Sequence, residues 1–294
     1  KIVEECLFAP KFDAAEFELE KKKQLDGIAQ AQTNASALAD MAYRKLLYGN
    51  NHVMGLNASG TAETVESITL EDVKSYYAKL NAAMASVMVS GDITQDEVSG
   101  SLGFLSAFAE GQLMEADNSN VPVIDKTRIY FLDKKNAAQS EIRMGYMALP
   151  YDPFGDFYKN SIMNFSFAGA FNSRTNYLLR EVKGWTYGTR GGFSGSKFAG
   201  PYTLSGGFKA SATDSTLVEL FSELKKYTGE GVTDEELSFT KNAMLQSDAL
   251  KYESPMQKLG FIKRVLDYDL PKDYVAQQTS ILNNIKKEEL NALA

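Results

Sequence analysis

The sequence has one cysteine, Cys6, and one histidine, His52, and these two scarcities exclude more than any motif in it asserts. A single cysteine allows no disulfide within the chain. A catalytic zinc takes three protein ligands, commonly two or more of them His or Cys, and neither residue sits in a motif of zinc spacing. A Ser-His-Asp or Cys-His pairing would have to recruit His52. The loop around it, GNNHVMG, carries no nucleophile elbow or other local signature, so His52 is expected to be a solvated loop residue. No stretch reaches the roughly eighteen apolar residues of a membrane span. A net charge of −7 leaves no excess of basic side chains to build the face that nucleic acid or an anionic membrane would need. The chain opens at Lys1 without a methionine, shows no signal peptide, and reads as a piece of something longer.

What is present suits a folded protein. With 294 residues, 44% of them hydrophobic and 23% charged, the chain has room for one large or two ordinary domains and too much apolar content for disorder. The polar, acidic stretch Glu115 to Pro122 reads as a linker, giving a partial first domain over 1–114, a linker over 115–125 and a second domain over 126–294. Before the linker, residues 13–48 have helical spacing, and Thr69 with Asp72 opens another helix. Met84 to Ser90 is expected to be a buried strand. Thr94 and Glu97 form a capping box for a helix running toward Gly111. After the linker, Arg128–Leu132 and Glu141–Leu149 read as strands, 153–167 and 174–183 as helices. Trp185–Phe193 and Tyr202–Phe208 read as a hairpin. From Thr213 the pattern is helical, with a further capping box at Thr233 and Glu236.

An internal repeat links the two parts. FDAAEFELEKKKQ from Phe12 matches VTDEELSFTKNAM from Val232, Phe17 answering Leu237 and Lys21 answering Lys241, an offset of 220. SITLEDVKSYY from Ser67 matches NIKKEELNALA from Asn284, Ile68 answering Ile285, an offset of 217.

The segment from Gly169 to Gly188, GAFNSRTNYLLREVKGWTYG, resembles a signature of the pitrilysin/insulinase family of zinc metallopeptidases (inverzincins). Ser173-Arg174, Leu179-Arg180-Glu181, Lys183-Gly184 and Tyr187-Gly188 stand in the family's places. Gln139-Ser140, the helix start Gly231 to Leu237 and Gly91-Asp92 agree in order and spacing, so the resemblance covers almost the whole chain. It implies an α+β fold of two related domains, each a mostly antiparallel sheet packed on helices, the first incomplete and the second lacking its last strand. Family members resemble a clamshell. One half carries His-x-x-Glu-His and a downstream glutamate for zinc, and the other supplies an arginine and a tyrosine. This sequence has no His-x-x-Glu-His, and the position of the downstream glutamate falls near Gly27, beside Asp26. The resemblance therefore implies the non-zinc half: no metal or cofactor in this chain, zinc in a partner half, an unfolded peptide as substrate, and a periplasmic or secreted setting.

The family's arginine and tyrosine correspond to Arg180 and Tyr187. Tyrosine stays protonated near neutral pH and can donate a hydrogen bond to an oxyanion, while arginine stays charged and offers a fixed fork of donors. The plain alternatives are a basic residue complementing a helix C-terminus and an aromatic filling a strand. Arg174 reads as a structural partner. The run Glu16 to Lys23 reads as a solvated helix face with i,i+4 pairs. Tyr151, Phe154, Phe157 and Tyr158 read as core packing. A non-catalytic scaffold or peptide-binding subunit of the same fold is the competing functional reading.

Overall fold

The computed structural model describes residues 1–113, 121–250 and 252–294, with backbone alone for 248–250. Residues 115–120 of the expected linker lie outside them. Side-chain caps set most helix starts in the first part. After α1 (Ile2–Phe8), Asp13 accepts hydrogen bonds from the amides of Ala15 and Glu16 and starts α2 (Ala14–Thr33). Asn34 then ends α2 and caps α3 (Ala35–Tyr48). Capping boxes at Thr61, Thr69 and Thr94 start α4 (Ala62–Ser67), α5 (Leu70–Tyr77) and α6 (Gln95–Ser101). Each such cap contributes about 1 kcal/mol. None of the described helices is long and apolar enough to cross a membrane.

The second part is built on one antiparallel sheet of β1 (Gln139–Met147), β2 (Thr186–Phe193) and β3 (Pro201–Lys209), in the order β1-β3-β2. Between β1 and β2 run α7 (Asp156–Asn164) and α8 (Arg174–Asn176), each continued by a π-helical turn, Phe165–Gly169 and Tyr177–Val182. After the sheet come α9 (Thr213–Glu230), α10 (Asp234–Leu250), α11 (Pro255–Asp267), α12 (Tyr274–Asn284) and α13 (Lys287–Leu293).

Alternation along β3 puts Tyr202, Leu204 and Phe208 on one face, where they are buried with Ile142 of β1. Ile162 of α7, Leu179, Leu220 and Tyr227 of α9, Leu282 and Leu290 complete this core. The other face receives α3. The Tyr43 hydroxyl lies 3.0 Å from Thr203 Oγ1, and a Cβ at Gly145 would meet that hydroxyl at 2.2 Å. Arg143 reaches across to Ser36 Oγ at 2.7 Å and pairs with Asp40 and Glu141. Only a residue without a side chain at 145 lets the helix lie this close.

The two segments related by the repeat make the same tertiary bonds. Lys21 Nζ donates to the carbonyls of Glu66 and Ile68, at 2.7 and 2.9 Å. Lys241 Nζ donates to those of Asn283 and Ile285, at 2.8 and 2.9 Å. Each lysine thus closes orphan carbonyls at the end of a facing helix. Lys21 is therefore a tertiary tie and not, as expected, one more solvated charge. In that run Lys23 pairs with Glu20, at i,i+3.

Two expected strands are not formed. Met84 to Ser90 and Arg128 to Leu132 carry no strand. Val87, Val89, Ile129 and Phe131 are exposed. Their composition suits a strand, but a strand persists only where a neighbour completes its ladder, and among the described residues neither segment has one. The helix from Thr94 is shorter than expected. It ends at Ser101 and continues as a 3₁₀ turn, Gly103–Ala107, where Gly100 and Gly103 weaken further helix.

Candidate functional site

The site is assembled around the reversal from α8 into β2. The turn Tyr177–Val182 is closed by the Lys183 amide donating to Leu178 O, and the Trp185 amide then donates to Leu179 O, both at 3.0 Å. Gly184 makes this return possible with φ +64°, a left-handed conformation that costs glycine little. Arg180 and Tyr187 therefore leave the backbone from the two flanks of one closed loop.

Tyr187 sits at a β-bulge. Thr186 pairs with Phe208 but Thr189 pairs with Gly206, so β2 carries one residue more than β3 over this stretch. A bulge bends its strand and re-aims the side chain it carries. Tyr187 is 90% exposed. Thr186 Oγ1 fixes the bulge by accepting from the Gly188 amide at 3.0 Å, and it lies 2.8 Å from the Gly207 carbonyl. Arg180 is held differently. Its guanidinium lies over the Phe171 ring, 4.5 Å from the centroid, and its Nη1 is 2.9 Å from Glu181 Oε1. No hydrogen bond joins Arg180 to Tyr187.

Asn176, which the sequence did not mark, ties the two halves of this arrangement. It is buried. Its Nδ2 donates to Phe171 O at 2.6 Å, and its Oδ1 accepts from the Thr189 amide at 2.9 Å. One side chain thus anchors both the residue beneath Arg180 and the strand beyond Tyr187. The only sequence signal is a poor helix former in a helical stretch. Asn176→Ala would leave the buried Thr189 amide without a partner, at a cost of about 1–3 kcal/mol. Urea denaturation checks this, and an unchanged midpoint would show that water replaces the amide.

Arg174 lies under the same loop and is structural, as expected. Its Nη2 donates to Glu236 Oε2 at 2.6 Å and to Gly231 O at 2.9 Å, and its guanidinium covers the Tyr227 ring at 4.8 Å. Burial pushes the Glu236 carboxyl up, but hydrogen bonds from Arg174 and from Thr233 outweigh it and hold the carboxyl below its ordinary value. A carboxylate lowered in the fold stabilises fully above its unfolded pKa, about 4.3 for Glu, and that stability is lost as pH falls through the folded value. In Glu236→Gln the acid-side loss of stability should be shallower from about pH 4.3 downward. Equal slopes in urea titrations of the two proteins would refute that.

His52 is not solvated. It is buried, its Nδ1 accepts from the Met54 amide at 3.1 Å, and its ring stacks on Tyr48 at 5.0 Å. The apolar end of α3 covers it, which a polar flanking sequence did not suggest. Among the described residues, no three His, Cys, Asp or Glu side chains converge as a metal would require. Gly27 lies in α2 with no heavy atom near its absent Cβ. Tyr151 packs on Phe157 and on Tyr268, and Phe157 on Phe193.

The chain as a whole is similar to several known proteins. Residues 67–244 match the model of a family described as the peptidase M16 inactive domain. The non-peptidase homolog YmxG of Helicobacter pylori is 25% identical over 99% of this chain and 66% of its own length. The uncharacterized zinc protease YmxG of Bacillus subtilis is 24% identical over 100% of this chain and 70% of its own. The crystal structure of a peptidase M16 inactive domain from Pseudomonas fluorescens superposes with a TM-score of 0.80 at 23% identity, covering 98% of this chain and 69% of that one.

Proposed function

Because the chain belongs to the peptidase M16 inactive domain family, we propose that it is the substrate-holding half of a two-part zinc peptidase, offering Arg180 and Tyr187 to a peptide held at a partner's metal. The metal would supply an activated water and polarise the scissile carbonyl. This chain would supply two donors to the oxygen on which charge develops. The observation that carries the reading is the bulge at Tyr187. A phenol in an ordinary strand position is spent on packing, whereas this one is 90% exposed on a backbone tied by Thr186 and Asn176. Its hydroxyl can donate without first breaking a bond. Arg180 has one ion pair on the surface, with Glu181, and surface pairs are weak enough to yield to substrate. Extended peptide would be held by backbone hydrogen bonds along an edge strand of the other half.

The test is to reassemble the chain with its zinc-bearing half and assay peptide cleavage by Arg180→Ala and Tyr187→Phe. Wild-type turnover in both would remove these roles. The competing reading is a non-catalytic scaffold or peptide-binding subunit. One relative's name, non-peptidase homolog, and the local partners of Arg180, Glu181 and Phe171, favour it. Under that reading both variants assemble normally and the complex cleaves nothing.

A further inference from the structure

Residues three apart on an unbroken strand point to opposite faces of the sheet. The bulge in β2 changes that for Tyr187 and Arg190. Thr186 pairs with Phe208 and Thr189 with Gly206, so three steps along β2 match two along β3. Phe208 and Thr189 are both buried on the core face. A Cβ at Gly188 would lie on that side too, 3.6 Å from Oδ1 of the buried Asn176. Gly188 and Thr189 therefore share the core face. Tyr187 and Arg190 become successive side chains on the other face, and both are exposed.

That other face is covered over β1 and open over β2. α3 lies on the β1 side, with Tyr43 against Thr203 and with Ser36 and Asp40 against Arg143. At Gly192, two residues beyond Arg190, nothing lies within 4 Å of the absent Cβ. The two arginines of this face have different surroundings. Arg143 pairs in register with Ser205, as Arg190 does from the other side. Arg143 is bound to Asp40 and Glu141. Arg190 makes no hydrogen bond or ion pair among the described residues. In a chain of net charge −7, a guanidinium left open beside Tyr187 is a place for an anion from another molecule.

We propose that Arg190 is a specificity residue that receives a carboxylate of the bound peptide. It rests on the reading of Tyr187 as a donor to that peptide. The planar fork of an arginine matches a carboxylate with two parallel hydrogen bonds. Three residues of strand span at most about 10 Å, which is roughly two or three residues of extended peptide. The carboxylate therefore lies that far from the carbonyl facing Tyr187. It belongs to an Asp or Glu side chain or to the peptide's C-terminus, and the fork takes either.

The test reads binding apart from cleavage. The chain is assembled with its zinc-bearing half, and EDTA removes the metal. The probes are fluorescent unfolded peptides that carry Glu or Gln at one position at a time, each with a free or an amidated C-terminus. In anisotropy titrations one position should favour Glu over Gln by about tenfold, or the free C-terminus should be favoured over the amide to that extent. The first result names a side chain as the source and the second the terminal carboxylate. Arg190→Gln should abolish the preference, and Arg190→Glu should reverse it toward Lys or the amide. Lys209→Gln, on the same face of β3 next to the buried Phe208, controls for diffuse charge and should leave the preference intact. Arg190 and Lys209 are exposed, so melting temperatures should match wild type. Absence of peptide binding, a preference that survives Arg190→Gln, or one that Lys209→Gln abolishes equally would each overturn the proposal. Restoring zinc separates this subsite from the hydrolytic role of Tyr187. A complex that cleaves nothing yet keeps the Arg190-dependent preference retires the hydrolytic role and leaves the subsite. A complex whose turnover depends on Tyr187 but whose binding ignores carboxylates retires the subsite alone.

Discussion

Tyr187→Phe, in the enzyme reassembled with its zinc-bearing half, should lose roughly a hundred- to a thousand-fold in kcat, with little change in KM and none in melting temperature. The size follows from removing a single hydrogen-bond donor aimed at a developing oxyanion in a site sheltered from water. The selectivity for kcat follows because the donor's partner gains its charge only in the transition state, so ground-state binding is spared. Stability should not move, because the side chain is 90% exposed and its hydroxyl makes no hydrogen bond among the described residues. Arg180→Ala should lower kcat/KM as well, with a share in KM if the guanidinium also holds a substrate carbonyl. An assembled complex that cleaves peptide with kinetics indifferent to Tyr187→Phe would leave the tyrosine as strand composition, and one that cleaves nothing would favour the scaffold reading.

Arg174→Ala should behave in the opposite way, removing about 3–5 kcal/mol of stability. The side chains of Arg174 and Glu236 are 15% and 23% exposed, and Arg174 also ties Gly231 O at the C-terminal cap of α9. Removing the arginine strands a carboxylate that burial already disfavours. It also uncovers the Tyr227 ring. Chemical denaturation of Arg174→Ala beside Arg180→Ala is the decisive comparison. The first should fall by several kcal/mol, the second by less than about 1 kcal/mol. Similar losses in both would mean that Arg180 is as much a fixture of the fold as Arg174. The two arginines lie six positions apart in one signature, and only their surroundings assign one to support and the other to substrate.

Much of the fold was legible because its signals are local. Caps at Thr69, Thr94 and Thr233 act on amides three residues away, so a short window contains the whole interaction. The hairpin of β2 and β3 joins strands close in sequence, and the alternation of Tyr202, Leu204 and Phe208 reports which face is buried. Composition misled at Met84–Ser90 and Arg128–Leu132. Strand propensity there is genuine, but a strand is a property of a pair, and the pairing partner is invisible in the segment itself.

The order of residues alone establishes that this chain has no metal motif, that it contains two copies of one helical pattern, and that Arg180 and Tyr187 flank a glycine able to reverse the chain. It took the packed chain to show that Tyr187 stands on a bulge, that Asn176 braces both flanks of the loop, that His52 is covered, and that Ile285 and Leu290 are sealed while Ile68 and Val73 are not. The division has a physical cause. Caps, glycines and periodicity act over a few residues of chain, whereas burial and bracing depend on which distant surfaces meet, and that is set by the packing of the whole molecule.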